Sequence, residues 1–365
     1  IFLLTIGGFL LYSCEPEIDE YSYSSGTADF SKYVSIGNSH TSGYADRALY
    51  KESQQSSYPA ILANQFKKVG GGEFTQPLMP NDRGVGVTLT AAGPYFNGKL
   101  VVGFSTDCLG ATSLAPVPAD PNASQGELAA DLAPIPGTYN NMGVPGAKSF
   151  HLLAPGYGTL NPYFGRFASS PATSVLGDAA AQQPTFFSLW IGTSDMLGFA
   201  TGGGMGDTIT GQGSFGFFMN SILQAMTAGG AKGVIANIPD IASSPFFTTV
   251  PPNGYVLEQW QADTLNQFLE PLGFQYQAGP NYFIVEDANS PLGFRQMTDG
   301  EYLLLTVPQD SLKCKFWGGY DVNAPSALEM PKPIPAKDGL DAPEGAAGTG
   351  AIDGEHPTRA RRAGE

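Results

Sequence analysis

The sequence predicts an α/β protein built around a parallel β-sheet. The apolar run Tyr33–Gly37, rich in β-branched residues, leads into small polar residues and glycines up to Gly43. This pattern is typical of a buried strand that ends in a tight turn. Residues 58–69 then place apolar side chains at helical spacing, with lysines near the end and Gly70 after it. A strand, a turn and a helix in this order form the first unit of a doubly wound sheet.

Residues 73–138 lack this rhythm and are predicted to be an insertion. They contain Gly, Pro and short apolar pieces such as residues 99–104, which predict β-hairpins. Such an insertion either shapes the rim of a pocket or is a surface elaboration, and the sequence leaves both interpretations open.

The α/β rhythm resumes after the insertion, where apolar runs alternate between strand-like and helical spacing. The predicted elements are a central strand at 186–191, an apolar helix at 215–226, a buried strand at 232–239, a helix at 259–269, and short apolar runs at 282–287 and 302–307.

The composition indicates a large globular domain with long loops. Of the 365 residues, 42% are hydrophobic and 12% aromatic, which is too apolar for a disordered chain. Only 14% are charged, and 47 Gly and 29 Pro favour irregular connections. The net charge of −15 argues against nucleic-acid binding, because a phosphate-binding face needs clustered Lys and Arg.

The N-terminus is predicted to be an export signal. Residues 1–12 are apolar but too few to span a bilayer, and we expect the sequence to begin inside the signal. Leu11-Tyr12-Ser13-Cys14 resembles a bacterial lipobox, which implies that Cys14 is acylated and that 1–14 is a partial lipoprotein signal. Residues 15–32 then read as an acidic tether. The alternative is a frayed apolar N-terminus with a free thiol.

The other two cysteines, Cys108 and Cys314, are a candidate disulfide, because an even pair in an exported protein is commonly oxidised. It would close a long loop. No Cys–His cluster has the spacing of a metal site, so we expect no structural zinc.

The turn after the first strand is the strongest functional signal. Ser39 follows the strand at the edge where open α/β sheets place their ligands, so it is either a nucleophile or the N-cap of the next helix. The residues Gly37-Asn38-Ser39-His40-Thr41-Ser42-Gly43 resemble the first block of the SGNH (GDSL-type) hydrolases, G-D-S-x-T-x-G. Asn38 stands where the family usually has Asp.

Two further stretches resemble later blocks of the same family. Asn141-Met142-Gly143-Val144-Pro145-Gly146 resembles N-x-G-x-x-G, whose last glycine, here Gly146, gives its backbone N–H to the oxyanion. Gly192-Thr193-Ser194-Asp195 resembles G-x-N-D, with Ser194 in place of the asparagine whose amide serves the oxyanion. A hydroxyl donates from a shorter arm. Loss of such a donor costs about 10²–10³-fold in turnover, so this departure bears on rate and activity.

The general base must come from one of three histidines. His40 adjoins Ser39 on a turn and is a poor base, and His151 is interpreted as a semi-buried structural residue. Asp353-Gly354-Glu355-His356 matches the family's D-x-x-H block, which implies His356 as base and Asp353 as the residue orienting it. Either this block docks beside Ser39, or the match is coincidental because the sequence is truncated or frame-shifted after about residue 335.

The resemblance implies a three-layer α/β/α fold with a parallel, flavodoxin-like sheet. The hydrolase-like domain covers 33–330, with the insertion at about 73–138, and Pro- and Gly-rich residues 331–365 form an irregular tail.

The implied activity is hydrolysis of carboxylic esters through an acyl-serine intermediate. The Ser39 and Gly146 N–H groups and the Ser194 hydroxyl would hold the oxyanion, without metal or cofactor. The expected partner is a small-molecule, glycan or lipid ester, and the membrane is contacted only through a lipid anchor at Cys14, on the bacterial outer membrane.

Two other functions compete with hydrolysis. The first is a surface lipoprotein whose hydrolase-like scaffold has lost catalysis and binds glycan or lipid. The second is a flavodoxin-like protein in which Gly37 to Gly43 form a phosphate loop for flavin mononucleotide.

Overall fold

The computed structural model describes residues 22–90, 93–315, 318–319, 333–335 and 339–340. The predicted lipidation site Cys14 and the predicted pair Asp353 and His356 lie outside these residues. Within the described ranges, no helix has both the length and the apolar character needed to cross a bilayer.

The strands fall into one parallel sheet and several antiparallel pairs. In chain order they are β1 (Tyr33–Gly37), β2 (Gly86–Thr90), β3 (Gly93–Asn97), β4 (Leu100–Thr106), β5 (Thr112–Pro118), β6 (Asn141–Gly143), β7 (Phe186–Trp190), β8 (Lys232–Ile235), β9 (Tyr255–Leu257), β10 (Gly279–Asn281), β11 (Ile284–Glu286), β12 (Phe294–Gln296), β13 (Tyr302–Leu303) and β14 (Gly339–Leu340).

The α-helices are mostly short, and several connections contain a turn of 3₁₀-helix. The α-helices are α1 (Ser39–Ser42), α2 (Lys51–Gln55), α3 (Tyr58–Phe66), α4 (Gln125–Ala130), α5 (Pro162–Gly165), α6 (Val175–Ala181), α7 (Ser194–Thr201), α8 (Gln212–Thr227), α9 (Pro245–Thr248), α10 (Gln259–Leu269) and α11 (Gln309–Cys314), and the 3₁₀ turns are Lys67–Val69, Ser149–Leu152, Tyr157–Thr159, Ile241–Ser243 and Glu270–Leu272.

The parallel sheet has the strand order β6-β1-β7-β8. This is the order of the first four strands of a flavodoxin-like sheet, in which the first strand lies between the second and the third. The fold is therefore α/β, as the sequence predicts. Strand β1 is central and fully buried, and its carboxyl end meets those of β6 and β7 at one edge.

Helices pack on both faces of the sheet. Val34 and Ile36 of β1 belong to one core cluster with side chains of α6 and α8. Tyr33, on the opposite face, packs with Ala63 and Phe66 of α3. Val34 and Ile36 are each 0% exposed, and burial of each contributes about 1.5–3 kcal/mol to folding. Helices on both faces of a parallel sheet are compatible with a three-layer α/β/α architecture.

The insertion folds into two antiparallel hairpins, β2–β3 and β4–β5, as its sequence predicts. The β4–β5 hairpin projects from the domain, and Val102 and Phe104 on it are each 77% exposed. Its base is held by a hydrogen bond from Leu100 N–H to the Asp46 carbonyl. Its tip is joined to α11 by a disulfide between Cys108 and Cys314.

The region after β8 has its own small clusters of buried side chains. Helix α10 packs with the antiparallel strand pairs β9–β10 and β11–β12. Arg295 lies between two carboxylates, 3.0 Å from Asp287 and 2.5 Å from Glu301. The apolar run predicted at 282–287 contains β11, and only the start of the run at 302–307 is a strand.

The prediction for one strand is wrong in its burial and in its length. Residues 232–239 were expected to form a buried strand, but β8 ends at Ile235, and all four of its residues are exposed. Val234 and Ile235 are 50% and 48% exposed. The reason is that β8 pairs only with β7 among the described strands and is an edge strand. An apolar run can have the same amino-acid composition in an edge strand as in a central strand.

Candidate active site

Three turns converge at the carboxyl edge of the parallel sheet. Gly37, the last residue of β1, is in register with Gly143 of β6 on one side and with Trp190 of β7 on the other. The chain therefore leaves all three strands side by side. Open α/β sheets bind ligands at this edge, next to the point where the strand order reverses.

Two glycines allow the turns to approach one another closely. A Cβ atom at Gly37 would collide with the Thr41 hydroxyl and the Trp190 carbonyl, and one at Gly143 would collide with the backbone of Thr41 and Ser42. Helix α1 therefore packs directly across the ends of its neighbouring strands. This packing needs residues without side chains at both positions.

Ser39 is the first residue of α1, and Asn38 is its N-cap. The Asn38 side-chain oxygen accepts a hydrogen bond from His40 N–H at 3.2 Å, and Asn38 N–H donates to the Trp190 carbonyl at 3.2 Å. The alternative that Ser39 merely caps the helix is therefore wrong. An amide oxygen performs the capping that a carboxylate would, which accounts for Asn38 physically. The Ser39 side chain is half-buried, and its N–H has no acceptor within the described ranges.

Gly146 lies against the Ser39 hydroxyl. Its backbone N–H donates a hydrogen bond to Ser39 Oγ, with 3.3 Å between nitrogen and oxygen. Gly146 has φ +75°, which favours glycine, and the space beside its Cα is open. The two residues are 107 positions apart in the chain. The structure thus brings together the hydroxyl and the amide that the sequence singled out.

Ser194 begins α7, which follows β7. Its side chain is half-buried, and no hydrogen bond joins it to Ser39 or Gly146 in the described part of the chain. Its contribution to an oxyanion site stays a prediction. The neighbouring Thr193 is 8% exposed, and its hydroxyl has no partner among the described atoms.

The segment after β6 is tied by polar contacts to the start of α7 and to the loop that follows α7. Asp195, which is 3% exposed, accepts hydrogen bonds from Ser149 N–H at 2.8 Å and from Ser149 Oγ at 2.6 Å. Lys148 Nζ lies 2.6 Å from Asp207 Oδ1. Sequence reasoning missed Ser149 and Lys148, because no motif includes them. Asp195 of the third motif was the available signal, but the sequence does not indicate which residue it contacts.

A buried chain of hydroxyl groups supports α1 from below. Tyr58 OH lies 3.2 Å from Thr41 Oγ1 and 3.3 Å from Ser188 Oγ, and Ser188 Oγ lies 2.7 Å from Tyr33 OH. Burial raises the pKa of Tyr33 and of Tyr58, so both phenols stay protonated and serve as hydrogen-bonding groups. The chain links the serine turn to β7 and α3.

The two described histidines are engaged elsewhere. The His40 ring stacks on Trp190, with 4.5 Å between centroids, and the His151 ring stacks on Tyr157 at the same distance. Nδ1 of His151 accepts a hydrogen bond from Lys148 N–H at 3.1 Å. Burial lowers the pKa of both imidazoles. Neither ring is hydrogen-bonded to Ser39 in the ranges that the structure covers.

In these same ranges, no cluster of three or more His, Cys, Asp or Glu side chains could hold a metal ion. The groups that meet at the site are a serine hydroxyl, backbone N–H groups and the polar contacts that flank them. Comparison of the chain with protein-family models, with curated protein sequences and with solved structures finds no match.

Proposed function

We propose that the protein is a serine ester hydrolase of the SGNH type, with the corresponding three-layer fold. One observation carries the proposal: Ser39 Oγ lies 3.3 Å from Gly146 N at the edge where three parallel strands end. The two residues come from the first and second motifs that resemble the family. A hydroxyl beside a side-chain-free amide donor is the arrangement that acyl transfer requires.

In the proposed reaction Ser39 Oγ attacks the ester carbonyl and forms an acyl-serine. The developing oxyanion is held by the N–H groups of Ser39 and Gly146. Both N–H groups suit this role, since the first has no acceptor among the described residues and the second already points at the hydroxyl. The Ser194 hydroxyl is the proposed third donor. The leaving alcohol takes the proton removed from Ser39 as the acyl-serine forms. Water then hydrolyses the acyl-serine: its hydroxyl bonds to the acyl carbon, the carboxylic acid leaves, and a water proton returns to Ser39 Oγ.

The proposed general base is His356, oriented by Asp353. His151 is a poor candidate because Nδ1 already accepts the Lys148 N–H bond and its ring lies flat on Tyr157. His40 is a poor candidate because its ring stacks on Trp190, and adjacent side chains on a turn diverge. Replacing each histidine separately by alanine tests this assignment. Only His356→Ala should reduce ester hydrolysis by at least about 10³-fold.

The proposed substrate is a carboxylic ester of a small molecule, a glycan or a lipid, turned over outside the cytoplasm by a protein anchored through acylated Cys14. Metabolic labelling with an alkyne-bearing fatty acid tests the anchor. Labelling should require Cys14, and equal labelling of a Cys14→Ser variant would contradict it.

The decisive experiment is the Ser39→Ala variant assayed with p-nitrophenyl acetate. We expect turnover to fall by at least about 10³-fold, because the nucleophile is removed. The matched control is Ser56→Ala, which changes an exposed serine at the end of α2 and should leave turnover unchanged.

A fluorophosphonate probe supplies an independent readout, because it reacts only with an activated serine. It should label the wild-type protein and the Ser56→Ala variant but not Ser39→Ala. Ester hydrolysis that persists in Ser39→Ala would refute the nucleophile. A wild-type protein that neither labels nor hydrolyses esters would favour the alternative of a catalytically inactive surface protein that binds glycan or lipid.

A further inference from the structure

Asp195 has a buried carboxylate, and among the described residues its side-chain hydrogen bonds are both to Ser149. Oδ2 accepts Ser149 N–H and Oδ1 accepts the Ser149 hydroxyl, at 2.8 Å and 2.6 Å. A carboxylate that is 3% exposed is expensive to bury without such bonds. Both bonds cross from the turn after β7 to the turn after β6, over the end of β1.

Ser149 is three positions after Gly146, and the intervening chain has little freedom. Ala147 N–H bonds to the Val144 carbonyl, which closes the turn around Gly146. Ser149 then opens a 3₁₀ turn, Ser149–Leu152. Fixing Ser149 therefore fixes the direction in which the preceding amide of Gly146 points. The Lys148–Asp207 pair holds the same segment from its outer side.

We infer that Asp195 is a positioning residue that keeps Gly146 N–H directed at Ser39 Oγ. This inference rests on the proposed function for its kinetic consequence, but not for its structural content. Gly146 and Ser39 are 107 positions apart in the chain, so the backbone between them does not fix their distance. The distance of Gly146 N–H from the hydroxyl is therefore set by contacts between the turns. Before Gly146, Val144 N–H donates to the Gly37 carbonyl and Asn161 Nδ2 donates to the Pro145 carbonyl. After Gly146, the two buried Asp195–Ser149 bonds hold the segment.

The chain offers a matched control in Asp178. Its carboxylate makes the same pair of bonds to another serine, accepting Ser169 N–H at 3.0 Å and Ser169 Oγ at 2.5 Å. Asp178 lies in the first turn of α6, and its carboxylate also accepts the Thr173 hydroxyl at 2.7 Å. Asp178→Ala therefore removes the same pair of serine bonds, and the bond to Thr173, at residues outside the segment 144–152.

The kinetic test compares Asp195→Ala, Asp195→Asn and Asp178→Ala. We expect Asp195→Ala to lower kcat about 10²-fold with KM within about twofold, because a donor displaced by a small distance is lost mainly in the transition state. Asp195→Asn should stay within about tenfold of wild type. Its amide oxygen can accept Ser149 N–H while its NH₂ donates to Ser149 Oγ. Asp178→Ala should leave kcat unchanged.

Hydrogen–deuterium exchange of the segment 144–152 gives a readout that does not depend on activity. Exchange in this segment should accelerate at least about tenfold in Asp195→Ala and stay near wild type in Asp195→Asn and Asp178→Ala. Unchanged exchange in Asp195→Ala would overturn the inference. Equal kcat losses in Asp195→Ala and Asp178→Ala would also overturn it. If the wild-type protein hydrolyses no ester, the proposed function fails, and the exchange comparison alone decides the role of Asp195.

Discussion

Replacing Gly143 by alanine tests how closely the three turns must pack. The added Cβ would lie 2.6 Å from Thr41 C and 2.7 Å from Ser42 Cα, whereas ordinary contacts of a Cβ begin at 3.4 Å. All the atoms it meets belong to the backbone of α1, so no side chain can rotate out of the way. Helix α1 must therefore move away from β6 by most of an ångström.

That displacement separates Ser39 on α1 from Gly146 on the turn after β6. A misplacement of this size costs about 10²-fold in rate, so kcat for p-nitrophenyl acetate should fall by that factor. The overpacked site should also lower the free energy of unfolding by about 1–3 kcal/mol. Both values are measured on one preparation, the first by initial rates and the second by urea unfolding followed by circular dichroism.

Gly216→Ala is the matched control, because the same methyl group has room there. Gly216 lies within α8, and an added Cβ would meet nothing within 4 Å. Alanine should raise the free energy of unfolding by about 0.5–1 kcal/mol, since glycine is costly in a helix interior. A Gly143→Ala variant with wild-type kcat and stability would refute the close packing of α1 on β6.

Two further outcomes follow from other contacts. Replacing Cys108 and Cys314 together by serine opens a loop spanning 206 positions, and the free energy of unfolding in urea should fall by about 2–5 kcal/mol; an unchanged urea midpoint would contradict this. Burial lowers the pKa of His151 below its usual 6.5, so the unfolded chain binds the proton more readily, and stability present above pH 6.5 should be lost as pH falls below it. The melting temperature of His151→Gln should depend less on pH in this window, and equal pH slopes for the two proteins would argue against it.

Much of the sheet and its site was predictable from local pattern. Tyr33–Gly37 shows a β-branched run ending in glycine, and the structure makes it the central strand β1. Helices at 58–66 and 259–269 follow from apolar spacing and from their end signals. Ser39 could be singled out because it lies directly after a predicted strand, whereas Gly146 could be singled out only because residues 141–146 resemble the second family motif. Strand ends that are distant in sequence meet because parallel strands share one edge.

The other features of the fold and the site depend on contacts between distant residues, which the local sequence does not reveal. The exposure of β8 follows from its place at the edge of the sheet, which its apolar composition does not report. Asn38 rather than Ser39 caps α1. The N-cap depends on the residue at which the chain leaves β1, and sequence patterns do not locate the end of an element to a single residue. Asp195 and Ser149 are 46 positions apart, and neither residue type indicates its partner.

The position of β1 in the sheet has a consequence for the order in which the protein can assemble. Tyr33 O accepts a hydrogen bond from Asn140, which is 107 residues later, and the β7 partners of β1 come later still. During synthesis β1 is therefore an unpaired hydrophobic strand while more than a hundred residues emerge after it. Folding dominated by such distant pairings is slow and exposes aggregation-prone edges. This chain should therefore depend on chaperones that shield its first strand until β6 and β7 have been made.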